Sequence, residues 1–359
     1  MPKAQPKYLH LYEQLAARIR SGEWAPGDRL PSEPQLAEEY GVAYMTARQS
    51  IHALVKEGLV NRAHGRGTFV AEPESLDKRP SLGMLLLRNW YAIDPFYFSP
   101  LVEAFVQRAD ELGFQVHLAD RSEPLKEQLK FTELRVRAMA MVLHDHDDLR
   151  DAESFLNQGF AVVAINRYGG SRRVPSVSPD NRGGTYEATL KLIELGHRQV
   201  AHIMGPRGNF DALERRKGVE LAWQASKLPS EDLRFYEAAY TEESGYQAAK
   251  RILQSKVLPT AVVCVNDLTA LAAIKVFSQA GLRVPEDISV FGFGNMRLTP
   301  YFQPGLTTMQ LPTPELGKKA AEALVALYRG VRLEPVRIPC PMVWRESVAA
   351  PRAQELFIP

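Results

Sequence analysis

At 359 residues the chain is long enough for two or three domains with cores of their own. Its net charge of +2, from 44 basic and 42 acidic side chains, excludes a global polycation, so any affinity for nucleic acid must be local. Two cysteines in apolar segments exclude a disulfide framework. No stretch is apolar for long enough to span a bilayer, and MPKAQPKYLH has no apolar leader, so the expectation is a cytoplasmic protein.

In chain order, residues 8–21 are expected to form a first helix. Leu11, Leu15 and Ile19 make an apolar stripe there, and Gly22 and the Pro26-Gly27-Asp28 turn end it. Ser32 stands at an N-cap position three residues before Gln35, the spacing of a capping box, and Pro34 is tolerated in a first turn. Leu36, Ala37 and Tyr40 face inward on that helix, and Gly41 turns the chain. In the next helix Ala47, Ile51, Leu54 and Val55 form a buried face, while Tyr44, Met45, Arg48, Gln49 and His52 form the opposite one. No acidic residue occurs from Tyr40 to Lys56, as a helix entering the major groove requires. Two short strands, 59–62 and 68–71, flank His64, Gly65, Arg66 and Gly67. This hairpin, which carries Arg62 and Thr68 on its strands, is also acid-free, and its glycines permit close approach to a phosphate.

The run LPSEPQLAEEYGVAYMTARQSIHALVKEGLVNRAHGRGTFV, within residues 7–71, resembles the winged helix-turn-helix of the GntR family. The resemblance implies that Ser32 and Glu33 open the first motif helix, that Arg48 contacts DNA, that Thr46 touches a phosphate or base, and that residues 64–67 form the wing tip. Pro34 and Tyr44 stand where many members carry arginine, so the operator preference is expected to be the chain's own.

Residues 72–81, EPESLDKRPS, read as a linker between a head at 1–71 and a body at 82–359. In the body short apolar runs alternate with helices. Strands are expected at 82–87, 114–118, 138–143, 161–165, 200–204, 261–265 and 288–291, and helices at 101–112, 186–195, 215–225 and 269–280. This α/β pattern restarts near Pro179, which points to two Rossmann-like doubly wound lobes with a ligand cleft between them.

Three segments, DNRGGTYEATLKLIELGHRQVAHIMGP, PTAVVCVNDLTALAAIKVFSQAGLRVPEDISVFGFGN and LTTMQLPTPELGKKAAEAL, resemble the effector domain of LacI/GalR regulators, itself similar to periplasmic sugar-binding proteins. A GntR head on such a body is the arrangement of the arabinose-repressor family. The resemblance implies a cleft lined by Tyr97, Phe98, Asn166, Arg167, Arg215, Asn266, Asp267, Gly294 and Asn295. Aromatic rings suit the C–H face of a sugar, and the guanidinium fork of Arg215 suits vicinal hydroxyls or a carboxylate. One of Tyr97 and Phe98 packs in the core on the plainer reading. Asp267 has the alternative reading of a cap on the helix starting at Leu268, which favours Asn266 as the ligand residue. Gly294 replaces the family's GFD aspartate and Asn166 replaces another. The ligand then carries its own negative charge, Asn295 substitutes, or ligand binding is weakened.

The His144-Asp145-His146-Asp147-Asp148 run has the composition of a metal site, but a polar loop with Asp147 or Asp148 capping the next helix is the plainer reading. His197 suits a helix C-terminus, paired with backbone carbonyls. No catalytic or phosphate-binding motif is present, and neither metal nor cofactor is expected. The expected function is a non-enzymatic transcriptional regulator, a repressor of carbohydrate-use genes. It would be a homodimer on a pseudo-palindromic operator, under a small sugar or sugar-derived effector. The alternatives are a regulator with a degenerate cleft under a protein partner, and a GntR-headed regulator with a pyridoxal-phosphate enzyme-like body.

Overall fold

The computed structural model of the chain describes residues 7–56, 59–63, 67–70, 80–86, 95–120, 136–166 and 174–352. Two compact units divide it, Met1–Arg79 and Pro80–Pro359.

The first unit contains α1 (Lys7–Arg20), α2 (Glu33–Glu39), α3 (Tyr44–Lys56) and an antiparallel pair, β1 (Val60–Ala63) and β2 (Gly67–Val70). Its core is the set that the periodicity selects: Leu11, Leu15, Leu36, Ala47, Ile51 and Leu54, closed by Val60 and Val70. Gln35 Oε1 accepts from both the backbone N–H and the hydroxyl of Ser32, at 2.9 and 2.8 Å, which fixes the start of α2. Gly41, at φ +61°, makes the turn into α3. A third extended segment completes the wing, with Leu30 N–H donating to the Thr68 carbonyl (2.9 Å) and Val70 N–H to that of Asp28 (2.8 Å).

The second unit is two six-stranded sheets with helices on their faces. In chain order its elements are β3 (Ser81–Leu86), α4 (Pro95–Glu111), β4 (Gln115–Asp120), β5 (Ala138–Val142), α5 (His146–Asn157), β6 (Ala161–Ile165), β7 (Ser176–Pro179), α6 (Asn181–Glu194), β8 (Val200–Met204) and α7 (Phe210–Ala225). There follow β9 (Leu233–Glu237), α8 (Glu242–Leu253), β10 (Ala261–Cys264), α9 (Asp267–Gln279), β11 (Ser289–Gly294), β12 (Thr307–Gln310), α10 (Thr313–Tyr328), β13 (Val336–Ile338) and β14 (Met342–Val343). The sheet orders are β13-β7-β6-β5-β3-β4 and β14-β12-β11-β10-β8-β9, parallel except where β14 meets β12. Buried apolar runs such as AMAMV and VAHIM are what a parallel sheet covered on both faces requires.

The lobes are not consecutive halves of the chain. After Pro179 the chain enters the second lobe, but α10 returns to the first, where Leu316, Ala320 and Leu324 join Leu101, Phe105 and Val163 in one core. Strand β13 pairs with β7, and the chain crosses again to β14. The crossings lie side by side: Asp180 N–H donates to Ile338 O (2.7 Å) and Gln310 N–H to Pro341 O (2.8 Å). Helix α4 begins at Pro95, before the expected residue 101. Pro100 removes one helical N–H, and burial of Phe98, Leu101 and Phe105 outweighs that loss. Ser176–Pro179, with a single aliphatic residue, is a fully buried strand that alternation does not reveal.

Helix α10 meets α4 across Gly317, where a Cβ would lie 2.2 Å from the Leu101 carbonyl oxygen and 2.9 Å from Phe105 N. Gly317→Ala is therefore expected to destabilise the body by about 1–3 kcal/mol, measured by urea unfolding. An unchanged midpoint would place α10 elsewhere.

Candidate functional site

In the head, α3 buries Ala47, Ile51 and Leu54 and exposes Tyr44, Met45, Arg48, Gln49 and His52, the face expected for DNA. Thr46 is half-buried, and its carbonyl accepts from the buried Ser50 hydroxyl at 2.9 Å. Glu33 has intramolecular work. Its carboxylate pairs with Arg62 on β1 and hydrogen-bonds the Tyr44 phenol, which raises that phenol's pKa. A carboxylate at this place would repel phosphates, and the Arg62 pairing offsets it. The Ser32 hydroxyl is likewise spent on Gln35. Of the wing, Gly67 stands at φ +120°, where a Cβ would lie 2.7 Å from Arg29 Nε. Thr68 is half-buried, and His64, Gly65 and Arg66, expected at the wing tip, lie outside the described residues. Arg29 is an exposed cation beside the wing that sequence reasoning missed. It precedes the motif, and only the β-bridge from Arg29 to Phe69 reveals its place.

In the body, Asn166 follows β6, Asn266 and Asp267 follow β10 and Gly294 ends β11, while Tyr97 and Phe98 lie on α4 and Arg215 on α7. Arg215 on α7 is 4% exposed and reaches across three neighbouring elements. Its Nε donates to Asn181 Oδ1 (2.8 Å) and Nη1 to the Val265 carbonyl (2.5 Å), while its guanidinium lies 4.0 Å from the Phe293 ring centroid. Asn181 Nδ2 donates in turn to Asp211 (2.7 Å), so Arg215 reaches that carboxylate only through an amide.

The roles of Asn266 and Asp267 are the reverse of the expectation. Asn266 is the N-cap of α9: Oδ1 accepts from Thr269 N–H (3.0 Å) and Nδ2 donates to the Tyr240 carbonyl (2.8 Å). Asp267 is fully buried, and its oxygens accept from Thr308 Oγ1 (2.6 Å) and Met296 N–H (2.7 Å). This carboxylate also accounts for the glycines of GFG. A Cβ on Gly292 would lie 2.4 Å from Asp267 Oδ1, and one on Gly294, at φ +141°, 3.1 Å from Oδ2. An aspartate at 294 would meet both a like charge and a backbone suited to glycine. Asn295, at φ +54°, has its Oδ1 occupied by Arg345 Nη2 (2.7 Å), so it does not supply the missing acceptor.

On the first lobe Asn166 follows β6 with φ +68° and is 1% exposed; its Oδ1 has no donor among the described residues. Phe98 is 2% exposed and belongs to the core, whereas Tyr97, in edge contact with it at 5.0 Å, is half-buried. Arg167 lies outside the described residues. The HDHDD run bridges the lobes: Phe210 N–H, on the second, donates to the His144 carbonyl (2.7 Å), and its ring meets His146 edge-on at 5.1 Å. The helix cap there is Asp145, accepting from Asp147 and Asp148 N–H, and not either of those two. His197 Nε2 donates to the Ala349 carbonyl (2.9 Å), and Nδ1 accepts from the Thr260 hydroxyl (2.8 Å). A groove of about 720 Å³ lies outside the cleft, on α8 and α9, lined by Tyr246, Leu271, Leu298 and Phe302 among others. Among the described residues no helix is long and apolar enough to cross a membrane.

Two buried groups titrate in opposite senses. Burial lifts Asp267 to about 6 against the Thr308 and Met296 hydrogen bonds, and burial lowers His202 to about 4. His202 Nδ1 donates to the Val263 carbonyl (2.9 Å), and Nε2 has no partner among the described residues.

Comparison with known proteins follows the same division. Residues 7–70 match the gntR family of bacterial regulatory proteins, and residues 189–348 match a periplasmic binding protein-like domain. The chain is 28% identical over 338 residues to the arabinose metabolism transcriptional repressor of Geobacillus stearothermophilus, covering 90% of this chain and 92% of that one. It is 30% identical over 264 residues to the HTH-type transcriptional regulator DegA of Bacillus subtilis (strain 168), covering 71% and 78%. Among solved structures, the transcriptional regulator CelR in complex with cellobiose aligns at TM-score 0.65 and 27% identity, covering 89% of this chain and 100% of that one. The Lac repressor dimer bound to operator and the anti-inducer ONPF aligns at 0.66 and 25%, covering 76% and 95%.

The opposed titrations make a testable profile. Asp267, raised above its ordinary 3.8, contributes stability that is full below pH 3.8 and lost as pH rises through 6; His202, depressed from 6.5, contributes stability that is full above 6.5 and lost as pH falls through 4. Asp267→Asn removes the first. The variant's urea midpoint should therefore climb more steeply than wild type between about pH 4.5 and 6.5, and parallel profiles would refute the burial of an ionisable carboxyl.

Proposed function

The chain belongs to the bacterial transcriptional regulators that join a gntR-family head to a periplasmic-binding-protein-like body, and from this premise we propose that it represses carbohydrate-use genes in the cytoplasm under a sugar or sugar-derived effector. The observation that carries the DNA half is the exposed, acid-free face of α3, with Arg48 and Gln49 free of the core that holds Ala47 and Ile51. Arg48 offers a two-pronged donor to a guanine edge, Gln49 a donor and acceptor to adenine, and Arg29 supplies phosphate-directed charge from the wing side. Ser32 and Glu33 act by positioning, since their polar atoms already have partners. Two copies of the head on a homodimer suit an operator of two half-sites, as in the Lac repressor dimer bound to its operator.

The effector half rests on Asn166, which follows β6 on the first lobe, and on Arg215 of α7 on the second. The Arg215 guanidinium reaches the Val265 carbonyl just past β10, and doubly wound sheets take small ligands at their strand ends. A ligand held by both favours a lobe arrangement that brings them together, and in this structure Phe210 N–H already joins the second lobe to the His144 carbonyl of the first. It shifts the equilibrium between lobe arrangements only by its difference in affinity for them. The chain between the head and the body is the covalent route by which that change reaches the heads.

The test is fluorescence anisotropy on a duplex selected from random DNA by the full chain. Arg48→Ala is expected to weaken binding by about 1–3 kcal/mol and to relax preference at one position per half-site. Unchanged affinity and sequence preference would remove α3 from the groove.

A further inference from the structure

Among the cleft residues on the second lobe, hydrogen-bonding capacity is almost entirely spent inside the protein. Asn266 caps a helix and binds the Tyr240 carbonyl; both Asp267 oxygens are taken by Thr308 and Met296; Asn295 Oδ1 is taken by Arg345; and Gly294 has no side chain. The exception is Arg215. It is more than nine-tenths buried, its two hydrogen-bond partners are a neutral amide and a neutral carbonyl, and Nη2 has no acceptor among the described residues. Phe293 stacks against its face without satisfying an N–H. On the first lobe, Asn166 contributes an amide rather than a carboxylate.

A neutral polyol needs acceptors for its hydroxyl protons, and among the described candidate cleft residues no free carboxylate supplies them. Closing the lobes over a neutral ligand would also further desolvate a guanidinium that has no direct ion-pair partner, which is unfavourable. A carboxylate or phosphate corrects both deficits: it takes the remaining N–H donors of Arg215 and supplies the counter-charge. Ring hydroxyls of the same molecule can then donate to Asn166 Oδ1.

We propose that the effector is an acidic carbohydrate, a sugar bearing a carboxylate or a phosphate, whose anionic group sits on Arg215 Nη2. This rests on the effector reading above. It makes the loss of the aspartate at 294 a change of ligand class: the carboxylate formerly on the protein is carried by the ligand. A Cβ at 294 would lie 3.1 Å from Asp267 Oδ2, on a backbone at φ +141° that suits glycine.

The experiment is thermal melting of the full-length chain with matched sets: L-arabinose, L-arabinonate and arabinose 5-phosphate; D-galactose, D-galacturonate and galactose 6-phosphate; and inorganic phosphate alone. An acidic member should give a saturable rise in melting temperature with an affinity at least about tenfold above its neutral parent, and the acid and phosphate arms separate the two anion sources. Arg215→Gln should abolish the difference between acid and parent, and Arg215→Lys, which keeps the charge and guards against a folding defect in the first variant, should retain part of it. A neutral parent that binds as well as its acid overturns the proposal and leaves the effector reading standing. A full shift from inorganic phosphate alone also overturns it, since no sugar is then needed. No shift from any sugar overturns the effector reading, and the proposal with it.

Discussion

The organisation of the body depends on one buried cation. Arg215 fastens α7 to Asn181 at the start of α6, to the end of β10 through the Val265 carbonyl, and to β11 through the Phe293 ring. A guanidinium cannot lose its proton to ease burial, so the surroundings must satisfy it. Most of that satisfaction comes from dipoles and a π-face, with the Asp211 carboxylate one amide away. The strand ends that form the cleft wall are therefore held in place by a group that still has donors to offer. Rigidity and ligand readiness share a single residue.

Control requires a second property, the capacity to move as two bodies. Three chain crossings, near Pro179, Leu311 and Ile338, are the covalent links between the lobes in the described residues, and backbone hydrogen bonds tie them into one strip. A rotation about that strip would leave both sheets intact and would change the Phe210–His144 contact between the lobes. Such closure is a hinge motion, with the large dihedral changes confined to a few positions. Driving it from one extreme population to the other takes about 5.5 kcal/mol of differential ligand affinity, so a directly bound charge on Arg215 is a more effective lever than a few exposed hydroxyl contacts.

The head was almost fully legible, because its helices are amphipathic and its turns are marked by Gly22, Gly41 and Ser32. The buried strands of the body were legible where they were runs of aliphatic residues, as in AMAMV and AVVAI, and illegible at SVSP, whose burial comes from its neighbours. The return of α10 to the first lobe was not legible either. Its apolar face fits either lobe, and only the Gly317 crossing against α4 decides. Among the candidate cleft residues, several side chains are engaged inside the protein. Asn266 is spent as a cap, Asp267 is turned into the strand rather than toward the cleft, and Phe98 lies in the core. No local pattern states which of a side chain's bonds its own backbone has already taken.

The central claim is that ligand and operator bias one equilibrium between lobe arrangements. Its most direct measurement is the operator affinity of the full-length chain with and without a saturating sugar ligand, paired with the affinity for that ligand with and without operator. Linkage requires the two factors to be equal, and typical coupling puts them at about fivefold or more. Operator affinity that stays unchanged at ligand saturation would contradict a shared equilibrium.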